Sequence, residues 1–383
     1  MISHENHEIT IRISSAKGRL KNKLKMIDLA ALDISEYNQR YLGGKIKNID
    51  RQLDLYGNIL TLCFLHKPLT IQQSVFVDYG GGSGILSYLA KELGIDKVIY
   101  IDIYDKSCND VKIISNMLEL PIDHVICGDV GDLISFVTKN SIIIDSIASY
   151  DVLEHIYDVG GHFKNLASLG YRFRVVYGSG ANCKNPRIVH DLKKKQIMAE
   201  NENREKIWGH KERDSLLAYY NIRKDIISSY SPDLKSNEIN LIAEKTRGLI
   251  ESDIKKCVDE FKQTGYVSYS NKHPTNTCDP YTGNWCEHLI EPEWLENILL
   301  KYGYSVKILG GYYHSTASRP KKFIANMINS FISLLGRHSL IIAPYFIVIA
   351  DHNPCITFPY SSGKIRGSTR LTVEVEKPNH YSK

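Results

Sequence analysis

The segment from Val75 to Lys91 constrains the fold of this 383-residue chain more than any other. It starts as a short apolar run, passes through the acid Asp78 into a glycine-rich turn, and ends in an amphipathic stretch. This order predicts a buried strand, a tight turn and a helix, because glycine lets the backbone bend sharply and approach a ligand closely. The unpaired N–H groups at such a helix start predict a nucleotide-type cofactor site at the carboxyl edge of a parallel sheet.

Three later segments repeat the order of an apolar strand followed by an acid. The acids are Asp102, Asp129 and Asp151. The strand before Asp151 is predicted to begin at residue 141. An acid that ends a strand lies at the carboxyl edge of the sheet, where it can accept hydrogen bonds from ribose hydroxyls. Strand–helix alternation over residues 74–182 predicts a parallel sheet with right-handed crossovers.

The spacing of the first turn differs from that of dinucleotide-binding proteins, whose fingerprint is G-x-G-x-x-G. Here the pattern D-x-G-x-G-x-G runs from Asp78 to Gly84, and it resembles the first motif of class I S-adenosylmethionine (SAM) methyltransferases. Asp-Val-Leu-Glu-His at 151–155 resembles the motif after strand 4 in the ubiquinone-biosynthesis-like and glycan-cluster O-methyltransferases. The resemblance covers about residues 75–180 and 285–350.

The resemblance implies an α/β, Rossmann-like class I methyltransferase fold. Its sheet would have seven strands, mostly parallel, with the last strand antiparallel beside strand 5 and predicted over residues 340–350. Pattern and composition divide the chain into five expected regions. They are an N-terminal helical cap (1–73), the SAM-binding core (74–182), a helical insertion or lid after strand 5 (183–270), a substrate loop with the end of the core sheet (271–352), and an extended tail (353–383).

SAM is the cofactor that the resemblance implies. The glycines would allow close approach of its methionine part, and Asp78 would accept from its ammonium group. Asp102 would hold the ribose with Ile103 against the adenine, and Asp129 would face the adenine amino group. The implied cofactor contacts are Asp78, Tyr79, Gly80, Gly81, Gly82, Gly84, Asp102, Ile103, Asp129, Val130 and Ser149.

Methyl transfer to a hydroxyl also requires a group that removes a proton. His155 is the first candidate, because it follows strand 4 where a substrate would enter and imidazole suits general-base catalysis. The alternative is that Glu154 and His155 only orient the loop, or that His155 packs against a helix. Asp151 and Ser149 are expected to line the pocket near the sulfonium, and His273 is a further catalytic candidate in a later loop.

The loop at 273–291 is rich in Pro, Thr, Asn, Asp and Gly. Its aromatic and planar polar groups suit a sugar, although a loop held by Asx turns and anchored by Trp285 is an equally supported interpretation. The predicted substrate contacts are Asn276, Tyr281, Trp285, Glu287 and His288. A hydroxyl of a small molecule or glycan is the preferred acceptor. The alternatives are a quinone, phenol or other metabolite, and a catalytically silent methyltransferase-fold binding protein.

Composition and charge limit the kinds of ligand and compartment that are expected for this chain. The net charge of +5 is only mildly basic and does not indicate nucleic-acid binding. The eight cysteines form no C-x-x-C pair, so no metal site is predicted. No signal peptide is recognised at the N-terminus, and reduced thiols in a cytoplasm are therefore expected. Oligomerisation is left open.

One apolar run, residues 323–350, could suggest a membrane segment, but charged and glycine residues at 336–338 interrupt it. Neither half reaches the ~20 residues that span a bilayer, so no transmembrane segment is predicted. The preferred expectation is an amphipathic helix packed on the sheet. Peripheral membrane contact is the alternative, through Phe331, Ile332, Leu334 and Leu335.

Overall fold

The computed structural model describes residues 4–65, 71–205, 214–314 and 319–355, so the tail predicted beyond residue 355 lies outside it. Its strands are β1 (Val75–Tyr79), β2 (Lys97–Asp102), β3 (His124–Cys127), β4 (Ser146–Tyr150), β5 (Phe173–Ser179), β6 (Tyr304–Gly310) and β7 (Phe346–His352). Its helices are α1 (His4–Met26), α2 (Glu36–Lys47), α3 (Ile49–Phe64), α4 (Ile85–Leu93), α5 (Asp105–Met117), α6 (Val130–Lys139), α7 (Val159–Ala167), α8 (Pro186–Asn201), α9 (Tyr219–Tyr230), α10 (Ser236–Lys245), α11 (Glu251–Thr264), α12 (Pro292–Lys301) and α13 (Arg319–Leu335). Short 3₁₀ helices join some of them.

Within those ranges the strands form one seven-stranded sheet of order β3-β2-β1-β4-β5-β7-β6. Strands β1 to β5 are parallel, and β7 runs antiparallel to both of its neighbours, β5 and β6. At the centre of the sheet, Val77 of β1 lies between Ile99 of β2 and Ile147 of β4. The predicted α/β class, the sheet and its antiparallel last strand are confirmed.

Two predicted strands begin later than expected. Strand β4 starts at Ser146 rather than at residue 141, because the backbone N–H groups of residues 141 and 142 instead donate to carbonyls at the end of α6. Strand β7 starts at Phe346 rather than at residue 340, because residues 336–341 form a 3₁₀ helix.

Two apolar layers cover the faces of the sheet. Helices α1, α3, α4 and α5 pack on one face around Phe76, Tyr88 and Tyr100. Helices α6, α7 and α12 cover the other face around Phe163 and Tyr304. The N-terminal helices therefore belong to the same core as the sheet, and α2 and α3 reach its carboxyl edge, where they can enclose a ligand.

The insertion after β5 forms a small core of its own from α8 to α11. Arg223 is fully buried there and pairs with Glu200 on α8. The same carboxylate accepts a hydrogen bond from Thr277 (2.7 Å), which ties the insertion to the loop at 273–291. Such a paired and hydrogen-bonded buried charge holds these segments in one arrangement.

Helix α13 packs differently from the preferred expectation. Ile332 is buried, but Phe331, Leu334 and Leu335 are exposed, so most of the apolar face does not rest on the sheet. None of the helices described here is both long and apolar enough to cross a bilayer.

Candidate active site

A cavity of about 1340 Å³ opens at the carboxyl ends of β1, β2 and β4. Helices α2, α3 and α8 and the loops at 282–287, 312–314 and 344–345 complete its wall. The predicted site residues that line it are Asp78, Tyr79, Gly80, Gly81, Gly82, Asp102, Ile103, Asp129, Asp151, His155 and Glu287. The predicted site residues outside the lining are Gly84, Val130, Ser149, His273, Asn276, Tyr281, Trp285 and His288.

Asp102 connects the glycine turn to the end of β2. One of its carboxylate oxygens accepts from the N–H of Gly82 (2.9 Å), and the other accepts from the N–H of Tyr104 (2.8 Å). The hydroxyl of Tyr100 donates to the carbonyl of Gly82 (2.7 Å) on the other side of the turn. Each oxygen of Asp102 retains a lone pair, so the carboxylate can still accept from a vicinal diol.

The glycines of the turn have two different uses. A Cβ atom on Gly80 or Gly81 would come within 2.4 Å of Val152 or Tyr100, respectively, so protein packing excludes a side chain there. Gly82 has φ +52°, and the nearest side-chain atom to a Cβ there would be 3.5 Å away. The space beside Gly82 is therefore open to a ligand, as a cofactor cradle requires.

Asp78 lies beneath this turn and is buried. It accepts hydrogen bonds from the backbone N–H (3.0 Å) and hydroxyl (2.7 Å) of Ser87, so it fixes the start of α4. Burial nevertheless raises the pKa of Asp78 to about 6. An ammonium group in the cavity would favour the ionised carboxylate, which fits the contact expected for a cofactor amine.

Only some of the predicted adenine contacts line the cavity. Ile103 is exposed to the cavity, and Asp129 lines it while accepting from the N–H of Gly131 at the start of α6 (2.7 Å). Val130 is buried in the core instead. Ser149 also points away from the cavity, because side chains alternate along β4 and Tyr150 occupies the cavity side.

Acidic side chains meet in the middle of the cavity wall. Asp151 has φ +58° and is exposed to the cavity, whose wall surrounds it on several sides. Burial, followed by the charge of Glu154, raises the pKa of Asp151 to about 7. Glu154 is fully buried, accepts from the N–H of Gly180 (2.9 Å), and has a pKa that burial also raises to about 7. These carboxyls can take up or release a proton near neutral pH.

His155 lies beside this pair with one ring nitrogen fixed. Its Nδ1 is 2.8 Å from the carbonyl oxygen of Trp285. A carbonyl oxygen only accepts, so Nδ1 must carry the hydrogen and Nε2 of the neutral ring is an acceptor. His155 therefore meets the orientation requirement for a general base.

The helical cap supplies aromatic and cationic groups. Tyr37 and Tyr41 stack with ring centroids 5.5 Å apart, and both line the cavity. The amine of Lys45 lies 4.5 Å from the ring centroid of Tyr41 and 3.1 Å from the hydroxyl of Tyr56. Lys45 was not among the sequence candidates, because it becomes a cavity residue only when α2 packs against the strand ends.

Most predicted substrate contacts stabilise their own loop. Asn276 is buried and accepts from Gln196 and from the N–H of Leu289 (both 3.1 Å). The indole N–H of Trp285 donates to the carbonyl of Tyr157 (3.2 Å), and its ring stacks on His288 with centroids 4.1 Å apart.

Two further members of that set, Tyr281 and His288, also lie outside the cavity. Tyr281 is exposed outside the cavity, and burial lowers the pKa of His288 to about 3. His273 lies 3.1 Å from Glu291, away from the cavity, and so does not reach the predicted catalytic position. Glu287 alone of the substrate set lines the cavity, and it pairs with Lys195 (3.2 Å). The alternative of a loop anchored by Trp285 describes this segment.

Among the described residues, no group of three or more His, Cys, Asp or Glu side chains could hold a metal ion.

Comparison with known proteins gives only distant similarity. No family model and no curated protein matches this chain. It is similar to the solved structure of a SAM-dependent methyltransferase from Archaeoglobus fulgidus, with 16% identity, 80% of this chain and 93% of that chain covered, and a TM-score of 0.33. It is also similar to the plantazolicin methyltransferase BpumL in complex with SAH (S-adenosylhomocysteine), with 13% identity, 92% and 100% covered, and a TM-score of 0.33.

A third similar structure is a Streptococcus mutans protein assigned to the SAM-dependent methyltransferases. The identity is 10% with a TM-score of 0.27, and the alignment covers 34% of this chain and 35% of that chain. This chain therefore matches about a third of that protein's length. Identities and scores of this size assign no activity to this chain.

Proposed function

We propose that this chain is a SAM-dependent methyltransferase that methylates a hydroxyl group of a small molecule or a glycan. The observation that carries the proposal is the link between the open glycine turn and Asp102, directly beside a proton-accepting cluster. A nucleoside cofactor and an acceptor must meet at such a junction for group transfer. SAM supplies an activated methyl group when bound.

In this proposal, the cofactor lies beside the glycine turn and the acceptor is held by the enclosing wall. Asp102 accepts from the ribose hydroxyls, Gly82 allows close approach of the methionine part, and Asp78 balances its ammonium charge. Ile103 and Asp129 contact the adenine. The enclosing wall excludes water and positions the acceptor, which supplies most of the rate enhancement in a transfer that needs no new electrophile.

Proton removal is assigned to the cluster at the end of β4. His155 accepts the hydroxyl proton at Nε2 while the carbonyl of Trp285 holds Nδ1–H. Asp151, whose pKa is about 7, stabilises the resulting imidazolium as its carboxylate. Replacing His155 with Gln is expected to lower kcat by about 10²–10⁴-fold while leaving SAH binding unchanged.

The acceptor is assigned by the polarity of the cavity. Tyrosines, carboxyls and Lys45 in the wall offer hydrogen bonds to a polyhydroxylated acceptor, whereas an apolar acceptor would leave these groups unpaired. A phenol or quinone is the second candidate, because the stacked pair Tyr37 and Tyr41 offers an aromatic face. Membership of the ubiquinone-biosynthesis-like O-methyltransferase group remains a prediction.

Calorimetric titration with SAM and SAH tests the cofactor. Wild type is expected to bind with a dissociation constant on the order of micromolar, and Asp102→Ala about 100-fold more weakly, since two hydrogen bonds to a charged acceptor are lost. Asp105→Ala is the matched control, because this neighbouring acid is exposed outside the cavity. A folded wild type that binds neither compound would refute the proposal and favour a cofactor-free binding protein.

A further inference from the structure

Helix α13 carries an exposed apolar stripe that the proposed activity does not explain. Six large apolar side chains of the helix are exposed. They are Phe323, Ile324, Met327, Phe331, Leu334 and Leu335. At 100° per residue they fall within one sector about 120° wide. Phe323 is 66% and Leu334 is 82% exposed, so this stripe makes little contact with the rest of the described chain.

The other two sides of the helix have clear uses. Ala325 and Ile332 are buried against the protein. Asn329 both donates to and accepts from the backbone of Tyr313 (2.8 Å each). Asn326, Ser330 and Ser333 lie on the third, polar side. Packing therefore uses one narrow side of α13 and leaves its apolar stripe outward, unlike the scattered exposed residues of an ordinary surface.

Charge along this part of the chain has one sign. Residues 297–350 contain six Lys or Arg residues and no Asp or Glu. Arg319, Lys321 and Lys322 belong to the first turn of α13, ahead of the apolar stripe. Arg337, after the helix, is paired with Glu296 on α12. Basic residues beside an apolar helical stripe complement an anionic lipid surface.

We infer that the stripe of α13 is a docking surface for an anionic lipid membrane. Its apolar side chains enter the boundary between headgroups and acyl chains, and the cations at its start bind lipid phosphates. A second copy of the chain fits less well, because the segment offers no acid that could complement those cations in a partner.

Helix α13 contacts the rim of the cavity through the sides that face away from the stripe. Tyr312 and Tyr313 line the cavity, and both contact α13, Tyr312 through its hydroxyl 3.3 Å from Ser333. Docking through α13 therefore holds this side of the rim about one helix diameter, roughly 10 Å, from the lipid surface. For the acceptor, and resting here on the proposed function, this arrangement favours an amphiphile whose polar head enters the cavity while its apolar part stays in the lipid.

Vesicle flotation of the full chain tests the docking surface. Vesicles of phosphatidylcholine alone are compared with vesicles containing roughly 30 mol% phosphatidylglycerol. Wild type is expected to float with the anionic vesicles. Phe331→Ser combined with Leu334→Ser should lower binding about tenfold or more, because both side chains would enter the lipid. Lys321→Glu combined with Lys322→Glu should lower it by a similar factor and remove most of its salt dependence.

The matched control is Met117→Ser combined with Ile143→Ser, which removes two equally exposed apolar residues elsewhere and should leave binding unchanged. SAH titration of each variant separates loss of docking from loss of the cofactor site. The inference is overturned if wild type binds neither vesicle, or if the Phe331/Leu334 variant binds as wild type does. It is equally overturned if sedimentation shows a dimer that this variant dissociates, since a second copy would then cover the stripe.

Discussion

The two ends of the cavity are constructed differently. At the end that we propose holds the cofactor, backbone and short side chains of β1, β2 and the glycine turn form the wall, and Asp102 holds them together. At the end that we propose holds the acceptor, long side chains come from segments far apart in the chain, such as Lys45, Glu287 and Tyr345. One end depends on local backbone geometry, whereas the other depends on how distant segments pack. Mutations should therefore act on the two ends independently.

The largest effect is expected from breaking the buried charge that supports the acceptor end. Arg223→Met removes the closer of the two cations beside Glu200, since Arg247 lies 3.8 Å away, and leaves that carboxylate buried, so the free energy of unfolding should fall by about 3–5 kcal/mol. Urea denaturation measures this change. SAH affinity should stay within about threefold of wild type, because Arg223 contacts no cofactor residue.

Arg187→Met, at an exposed position of α8, is the control and should change stability by less than about 0.5 kcal/mol. A large loss of SAH affinity in folded Arg223→Met would show that the two ends are coupled.

The next effect concerns the buried carboxyl between the two ends. The pKa of Glu154 is raised from 4.5 to about 7, so the folded state retains a proton that the unfolded state releases. The stabilising contribution of this group is complete below pH 4.5 and is lost as the pH rises through 7. Glu154→Gln should therefore gain up to about 3 kcal/mol relative to wild type between pH 4.5 and pH 8.

Urea unfolding of both proteins across this range measures that gain, and the exposed Glu36→Gln gives the baseline. Because Gln still offers an oxygen to the N–H of Gly180, the loop should stay folded. A stability difference that does not change with pH would contradict the raised pKa.

Alanine substitutions at two glycines of one turn should have smaller effects on stability, and the two effects should differ. Gly84→Ala places a Cβ atom 2.6 Å from Tyr88 at φ +77° and should cost about 2–3 kcal/mol of stability. Gly82→Ala meets no close protein atom and should cost only about 1 kcal/mol, from its positive φ. Calorimetry should nevertheless show at least about 30-fold weaker SAH binding for Gly82→Ala, because its methyl group enters the cavity. Equal SAH affinity in wild type and Gly82→Ala would show that the cofactor does not contact the turn at Gly82.

The smallest effect is expected at the rim. Glu287 pairs with Lys195 in a partly exposed bridge, so Glu287→Gln should change the free energy of unfolding by less than about 0.5 kcal/mol. SAH titration should also be unchanged. A loss above about 1.5 kcal/mol would mean that Glu287, like Trp285, supports the loop rather than contacting an acceptor.

The glycine-turn end of the cavity was predictable because the sequence signal for it is local. A strand, an acid and a glycine turn follow one another within a few residues, and strand order then brings Asp102 and Asp129 to the same edge. Ser149 was expected to line the cavity, but its neighbour Tyr150 does so instead. Neighbouring side chains of β4 point to opposite faces, so a shift of one residue reverses the expectation. Alternation predicts which residues share a face but not which face meets the cavity.

The acceptor end was not predictable in the same way. Trp285 lies in a loop whose composition is typical of a sugar site, yet its ring stabilises that loop by contacting Tyr157 and His288. Lys45 and Tyr345 carry no local signal, because they approach the cavity only after the cap and the last strand have packed. These two residues are 300 positions apart in the chain and line the same cavity.

The position of β7 has a consequence for how the protein is made. Strand β6 is synthesised before β7, but its only neighbour in the described sheet is β7, which also covers the open edge of β5. During translation, β6 therefore stays unpaired, and the edge of β5 has unpaired backbone groups, until β7 has been synthesised. Chaperone binding to stalled nascent chains should peak after β6 has left the ribosome and fall once residues 346–352 emerge.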